Sequence, residues 1–221
     1  MTIERLTRIA GLALLVAGAA DLPAQSTRTE ALAAGKFLVA SRELLDPNFA
    51  ETVVLLVRYE PDSVLGLIVN RRTKVSIARA FPELPDSAKG RSDPLYTGGP
   101  VGRTTALALV RSHARLERAE HVFSDVSLVS GKLLLERTLA AGTAPSTFHL
   151  YAGYSGWTAE QLRREVELGG WQIFPADAAM VFDPEPESLW SRLILKTEQR
   201  IALGLAPQAV HRLHCNVCPL P

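Results

Sequence analysis

The sequence predicts a single α+β domain, a mixed β-sheet flanked by helices. Three observations carry that expectation. The chain of 221 residues is 47% apolar with a net charge of +1, ample material for one core. Two short β-branched runs, Thr52–Arg58 and Ser63–Val69, are separated by Glu60-Pro-Asp62, which is turn chemistry, so they read as a hairpin. After Gly35 the pattern mixes such hairpins with strand–helix–strand units, and that order needs a mixed sheet with helices outside it.

Taken in order, Gly35-Lys-Phe-Leu-Val-Ala40 opens the domain, and Asp46-Pro-Asn-Phe49 reads as a turn in which Asp46 bonds a backbone amide two residues on. The near-continuous apolar character of the hairpin implies burial on both faces. Ser76 caps a helix through Phe81, which Pro82 and Pro85 stop. Residues 83–94, rich in Pro, Asp, Ser, Lys and Gly, read as a loop. Strands follow near Ala106–Val110 and His121–Phe123, then a helix over Lys132–Ala141 with Gly142 at its C-cap. Thr147–Tyr151 is a strand leading into Gly153-Tyr-Ser-Gly-Trp157, whose glycines read as closing a strand-to-helix turn. Thr158 caps the next helix with Gln161 at the capping-box position, and Gly169 and Gly170 end it after Leu168. A strand at Trp171–Phe174 and an amphipathic helix with Leu189, Trp190, Leu193 and Ile194 on one face complete the domain.

The two ends speak to compartment. Residues 1–24 have the layout of a secretory signal: Arg5 and Arg8, the apolar run Ile9–Ala20, then small residues permitting cleavage after Ala24, Ala19 or Ala20. At about 12 residues that run is too short for a permanent membrane anchor. An ordinary N-terminal helix or a mis-chosen start codon is the alternative. Cleavage implies a periplasmic or secreted protein. The two cysteines, Cys215 and Cys218, lie with His211 and His214 in the last segment. Three readings stay open there: a local Cys215–Cys218 disulfide in an oxidising compartment, a zinc site using the two imidazoles and two thiolates, or a tail with free thiols. The histidine precedes the cysteine pair, which excludes a haem attachment sequence.

The near-neutral charge leaves no electrostatic footprint for nucleic acid, and no partner of that kind is expected. Arg71, Arg72 and Lys74 form the nearest basic cluster and read as a solvated turn. Ser155 invites comparison with a nucleophile elbow, but the second glycine stands one position too early. His113, His121 and His149 are isolated, and Glu160, Glu165 and Glu167 read as the solvated face of a helix. Tyr96-Thr-Gly-Gly-Pro-Val-Gly102 could present backbone N–H groups to an anion, yet it lacks the lysine of a phosphate-binding loop and the dinucleotide spacing. What remains is a candidate cleft with Asn70 and Arg71 on one lip, Tyr96, Gly98, Gly99 and Pro100 on another, and Tyr154, Ser155 and Trp157 beside them.

Leu65-Gly-Leu-Ile-Val-Asn-Arg71, Tyr96–Gly102 and Gly153–Trp157, together with Gly35–Ala40, Asp46–Phe49, Thr52–Val57, Gln161–Glu165, Gly170–Asp177 and Trp190, occur in the order and spacing of a known family. In these segments the chain resembles the YqgE/AlgH family, small bacterial α/β proteins of unestablished activity once proposed to be transcriptional regulators. The resemblance implies a sheet curled into a partial barrel, a domain spanning 35–205 and a separate tail at 206–221. It also implies a cytoplasmic location, against the signal-like N-terminus. The family often has alanine where this chain has Ser155, which argues against a catalytic hydroxyl. The combined expectation is a non-catalytic protein without cofactor that binds a small ligand or a protein partner in the candidate cleft. A hydrolase using Ser155 is the runner-up, and a DNA-binding regulator is disfavoured by the charge.

Overall fold

The computed structural model describes residues 32–81 and 91–202. Residues 1–31, 82–90 and 203–221 lie outside the described residues. They hold the signal-like segment, most of the predicted loop at 83–94, and His211, His214, Cys215 and Cys218.

Lys36–Ala40 (β1) is apolar after its first residue and buried on both faces, as a central strand must be. Val53–Tyr59 (β2) and Val64–Ile68 (β3) form the expected antiparallel hairpin, with Val54 opposite Ile68. Asp46 accepts the Asn48 amide at 2.8 Å, the expected turn bond. Arg72–Ser76 (β4) leads into the short helix Ile77–Ala80 (α1), which Ser76 caps by accepting from the Arg79 amide. Pro94–Thr97 (β5) and Val101–Arg111 (β6) follow, then the tight pair Glu120–Phe123 (β7) and Val126–Ser130 (β8). Lys132–Ala140 (α2) precedes the long strand Phe148–Trp157 (β9). Ala159–Glu167 (α3) carries the complete Thr158–Gln161 capping box. Trp171–Pro175 (β10), Ala178–Val181 (α4), a 3₁₀ turn at Pro186–Ser188 and Leu189–Ala202 (α5) complete the described chain.

Four features differ from the sequence reading. β4, β5 and β8 are strands it did not contain. β4 has no apolar alternation and is mostly exposed, so it carries little periodic signal. β5 is four residues framed by Pro94 and Gly98, and β8 is five residues joined to β7 through Ser124, which turns with a φ of 47°. The fourth difference concerns Gly153–Trp157, which is no strand-to-helix turn. It is the second half of β9, and the chain leaves the sheet only at Thr158.

The main sheet runs β10-β1-β2-β3-β9-β6-β8-β7, with β4 paired to β5 and β5 paired in parallel to β9. All the other pairings among the described strands are antiparallel, so the sheet is mixed, as expected. It also curls. The Arg58 guanidinium of β2 pairs with Glu120 of β7, and the Phe123 side chain of β7 lies against Gly35 beside β1. The fold is therefore a half-barrel flanked by a few helices, a single domain.

Alternation along β9 divides the core in two. Phe148 and Leu150 face outward and pack with Ile77 of α1 and Leu135 and Leu139 of α2. Tyr151 belongs to the larger cluster inside the curl, with Phe37, Leu55, Leu67 and Leu109. Leu189, Trp190, Leu193 and Ile194 of α5 join that inner cluster, and each is worth about 1.5–3 kcal/mol of burial. The Trp190 indole donates to the Ala40 carbonyl at 2.8 Å and pins α5 to β1.

Candidate functional site

The residues predicted to form one cleft separate into three groups. Gly98, Gly99, Tyr154 and Ser155 do meet, at a crossing of backbones where β5 leaves the sheet beside β9. The Gly98 amide donates to the Ala152 carbonyl, and the Gly98 carbonyl accepts from Ile68 N at 2.9 Å and from Ser155 Oγ at 3.3 Å. A methyl group on Gly98 would lie 2.2 Å from the Gly153 carbonyl oxygen, and one on Gly99 would lie 2.2 Å from the Tyr154 carbonyl carbon. These glycines are set by backbone approach. Ser155, fully buried, spends its hydroxyl on the Gly98 carbonyl. Pro100 and Tyr154 keep partial exposure beside the crossing.

Asn70 and Arg71 face elsewhere. Asn70 accepts from the Val53 amide and donates to the Glu51 carbonyl, at 2.8 and 2.9 Å. Arg71 donates to the carbonyls of Asn48 and Ala50, at 2.6 and 3.0 Å, and burial lowers its pKa. Arg72 holds Glu187 through two bonds of 2.8 and 3.0 Å and also reaches the Pro184 carbonyl. The solvated-turn reading of Arg71, Arg72 and Lys74 is thus corrected. The first two arginines tie loops to the sheet, and of the three only Lys74 is an exposed cation with no such bond to the described residues.

Trp157 belongs to a second group. It stacks on Phe49 at 5.4 Å and meets Trp171 edge-on at 6.1 Å. Both indoles donate to Glu165 Oε2, at 3.1 and 2.8 Å, and burial raises the pKa of that carboxyl. Glu165 is therefore not part of a solvated face. It faces the sheet, next in the chain to Arg164, whose pair with Glu160 lies on the exposed side of the helix.

The third group contains a residue that sequence reasoning set aside. The parallel pairing of β5 with β9 places Tyr96 beside Tyr151, and His149, two residues earlier on β9, shares the Tyr151 face. Tyr96 and His149 stack at 4.3 Å with their planes 22° apart, and Tyr151 lies 5.4 Å from the Tyr96 ring. Tyr96 Oη approaches His149 Nε2 at 3.3 Å, but near-parallel rings meet face to face, so this contact is poorly directed as a hydrogen bond. Tyr151 Oη is buried with no hydrogen-bond partner among the described residues, and His149 Nδ1 makes no well-formed bond, with only the Val181 backbone facing the imidazole. Tyr151 is 0% exposed and His149 8%. Each orphaned group costs about 1–3 kcal/mol. Burial pushes the Tyr96 hydroxyl up to about 12, raises that of Tyr151 well above its ordinary value, and lowers His149 to about 4. All three side chains are neutral at pH 7. Phe182, at the end of α4, covers the imidazole with its ring 5.0 Å away. The alternation Phe148-His-Leu-Tyr151 held the one sequence signal for this cluster, since it sets His149 and Tyr151 on a single face.

Among the described residues no three His, Cys, Asp or Glu side chains are placed to hold a metal ion, and no helix is long and apolar enough to cross a membrane. Comparison with known proteins agrees with the architecture. UPF0301 protein AlgH of Pseudomonas aeruginosa is 32% identical over 179 residues, covering 79% of this chain and 93% of its own. A UPF0301 protein of Chlorobium luteolum is 34% identical over 164 residues, 74% of this chain and 85% of the relative. The solution structure of the Pseudomonas aeruginosa AlgH protein superposes with a TM-score of 0.61 at 30% identity, over 80% of this chain and 94% of that one. The crystal structure of protein DIP2367 from Corynebacterium diphtheriae shares the fold, with a TM-score of 0.60 at 22% identity over 75% of this chain and 87% of that one. The AlgH-like family model matches residues 37–202, from the first buried strand to the end of α5, and the chain belongs to that family.

Proposed function

We propose that this protein is a non-catalytic binding protein that holds a small ligand at the Tyr96–His149–Tyr151 cluster, beneath the segment from Asp177 to Ser188. One observation carries the reading: of the four buried side-chain atoms without a hydrogen-bond partner among the described residues, two, Tyr151 Oη and His149 Nδ1, belong to one cluster. Native interiors rarely leave such groups unpaired, and a bound molecule supplies the missing bonds. The Ser155 hydroxyl, by contrast, is already engaged with backbone, and no observation favours the hydrolase alternative. Of the residues in the sequence-predicted cleft, Tyr96 lines the proposed site. The Gly98–Gly99 crossing fixes where Tyr96 stands against β9.

The protein purified from its native host is examined intact by native mass spectrometry and then denatured. A small molecule of defined mass, bound to the wild type and depleted in the near-isosteric Tyr151→Phe variant, is the expected result. A native mass equal to that of the chain alone would count against binding.

We further propose that residues 1–24 are removed on export to the periplasm or beyond, on the strength of the short apolar run between Arg8 and Asp21. N-terminal sequencing of the protein from separated cell fractions tests this. A new terminus near Gln25 is expected, and an intact Met1 on a cytoplasmic form would refute it.

A further inference from the structure

We infer that the Tyr96–His149–Tyr151 cluster selects neutral molecules carrying both a hydrogen-bond donor and an acceptor, a primary amide being the simplest, and rejects carboxylates and cations of the same shape. The inference rests on the binding reading above and adds the chemical class of the ligand. Its first support is the set of groups on offer. A neutral imidazole presents one N–H and one lone pair, and each phenol presents an O–H and acceptor lone pairs, so the cluster both gives and takes hydrogen bonds. A carboxylate can only accept and an amidinium can only donate, and either would leave part of the set unpaired.

The second support is electrostatic. An ion buried here would need a free counter-charge, and the neighbouring charges are already committed. Arg72 is held by both oxygens of Glu187, Asp93 pairs with Arg91, and Asp183 pairs with Arg192. Burying an uncompensated ion costs far more than burying a neutral amide with its bonds satisfied. The third support is the apolar frame. The Tyr96 ring at 4.3 Å and the Phe182 ring at 5.0 Å pack on the imidazole, which is 8% exposed, so a group bonded to a ring nitrogen of His149 is held beside aromatic surface and away from bulk water.

Acetamide, acetate and acetamidinium share one shape and differ in charge. The full-length protein, labelled with nitrogen-15 in its histidines, is titrated with each at matched ionic strength and pH 7, and the imidazole resonances are followed. Acetamide is expected to shift the His149 nitrogens saturably, with acetate and acetamidinium at the same concentration leaving them in place. Tyr151→Phe is expected to weaken acetamide binding about fivefold to tenfold, the loss for one neutral hydrogen bond. Should that variant fail to fold, the three-probe comparison on the wild type decides alone. A response to acetate or acetamidinium as strong as that to acetamide would overturn the neutral class and leave the binding reading standing. No response to any probe, with only an internal water detected at the cluster, would overturn both.

Discussion

At the scale of single residues, His149 gives the chain a pH dependence that its composition does not suggest. Burial lowers its pKa from 6.5 to about 4, with Asp93 and the Val181 backbone opposing and Arg72 adding to the shift. Tyr96 and Tyr151 also face it and stay protonated throughout the acid range. The unfolded chain therefore takes up the imidazole proton first as pH falls below 6.5. Stability is fully present above that value and is lost progressively toward pH 4, by about 3 kcal/mol at most. Glu165, whose carboxyl is raised, works in the opposite sense lower in the range, and Asp125, Asp183 and Glu198, whose pKa values are lowered, add acid lability below it. Urea unfolding between pH 7 and 5 should show the decline, and His149→Phe should flatten it. Glu165 offers a second test, because its Oε2 serves two indoles. Glu165→Gln keeps an acceptor oxygen and should change stability by less than about 1 kcal/mol. Glu165→Ala strands both N–H groups and should cost about 2–4 kcal/mol in the same assay.

Among the elements, β9 is where sequence and structure part most. The hairpin of β2 and β3, the Ser76 cap, the Asp46 turn and the Thr158–Gln161 capping box were all legible, because each is written within a few neighbouring residues. Gly153–Trp157 was not. A glycine permits a tight turn and a close backbone approach equally well, and only the partners Gly98 and Gly99, more than fifty positions away in the chain, distinguish the two. His149 was read as isolated for the same reason, since Tyr96 lies 53 residues from it. Glu165 was misjudged because helical spacing alone does not reveal that two tryptophans reach over it from the sheet. The crossing makes a quantitative prediction. Gly98→Ala drives a methyl into the Gly153 carbonyl, whereas Gly142→Ala, at a φ of +72°, meets nothing within 4 Å. Denaturation midpoints should place Gly142→Ala near 1 kcal/mol of destabilisation, about the cost of the backbone conformation alone. Gly98→Ala should exceed about 2 kcal/mol, because backbone has to move.

Across the whole molecule, the partial barrel was expected from family resemblance and not from periodicity, since curl is a property of strand pairings that no short window of sequence contains. The family match ends at residue 202, and the inner core draws its last members from α5. Deleting residues 211–221, with His211, His214, Cys215 and Cys218, should leave the melting temperature within a few degrees, the shift for roughly 1 kcal/mol or less. A tightly bound zinc whose removal lowers that temperature sharply would show the tail to be a structural metal site. The position of β9 in the strand order also fixes when folding can finish. Among the described strands, β1–β3 and β6–β8 are joined in the sheet only through β9, whose pairs include Gly66 with Ser155 and Leu109 with His149. Such pairings span long loops and close slowly. A chain emerging from the ribosome cannot lock its sheet before residue 157 is free of the exit tunnel. One that stops short of Phe148 leaves β3, β5 and β6 without β9 and β1 without β10, open strand edges ready to pair with other copies.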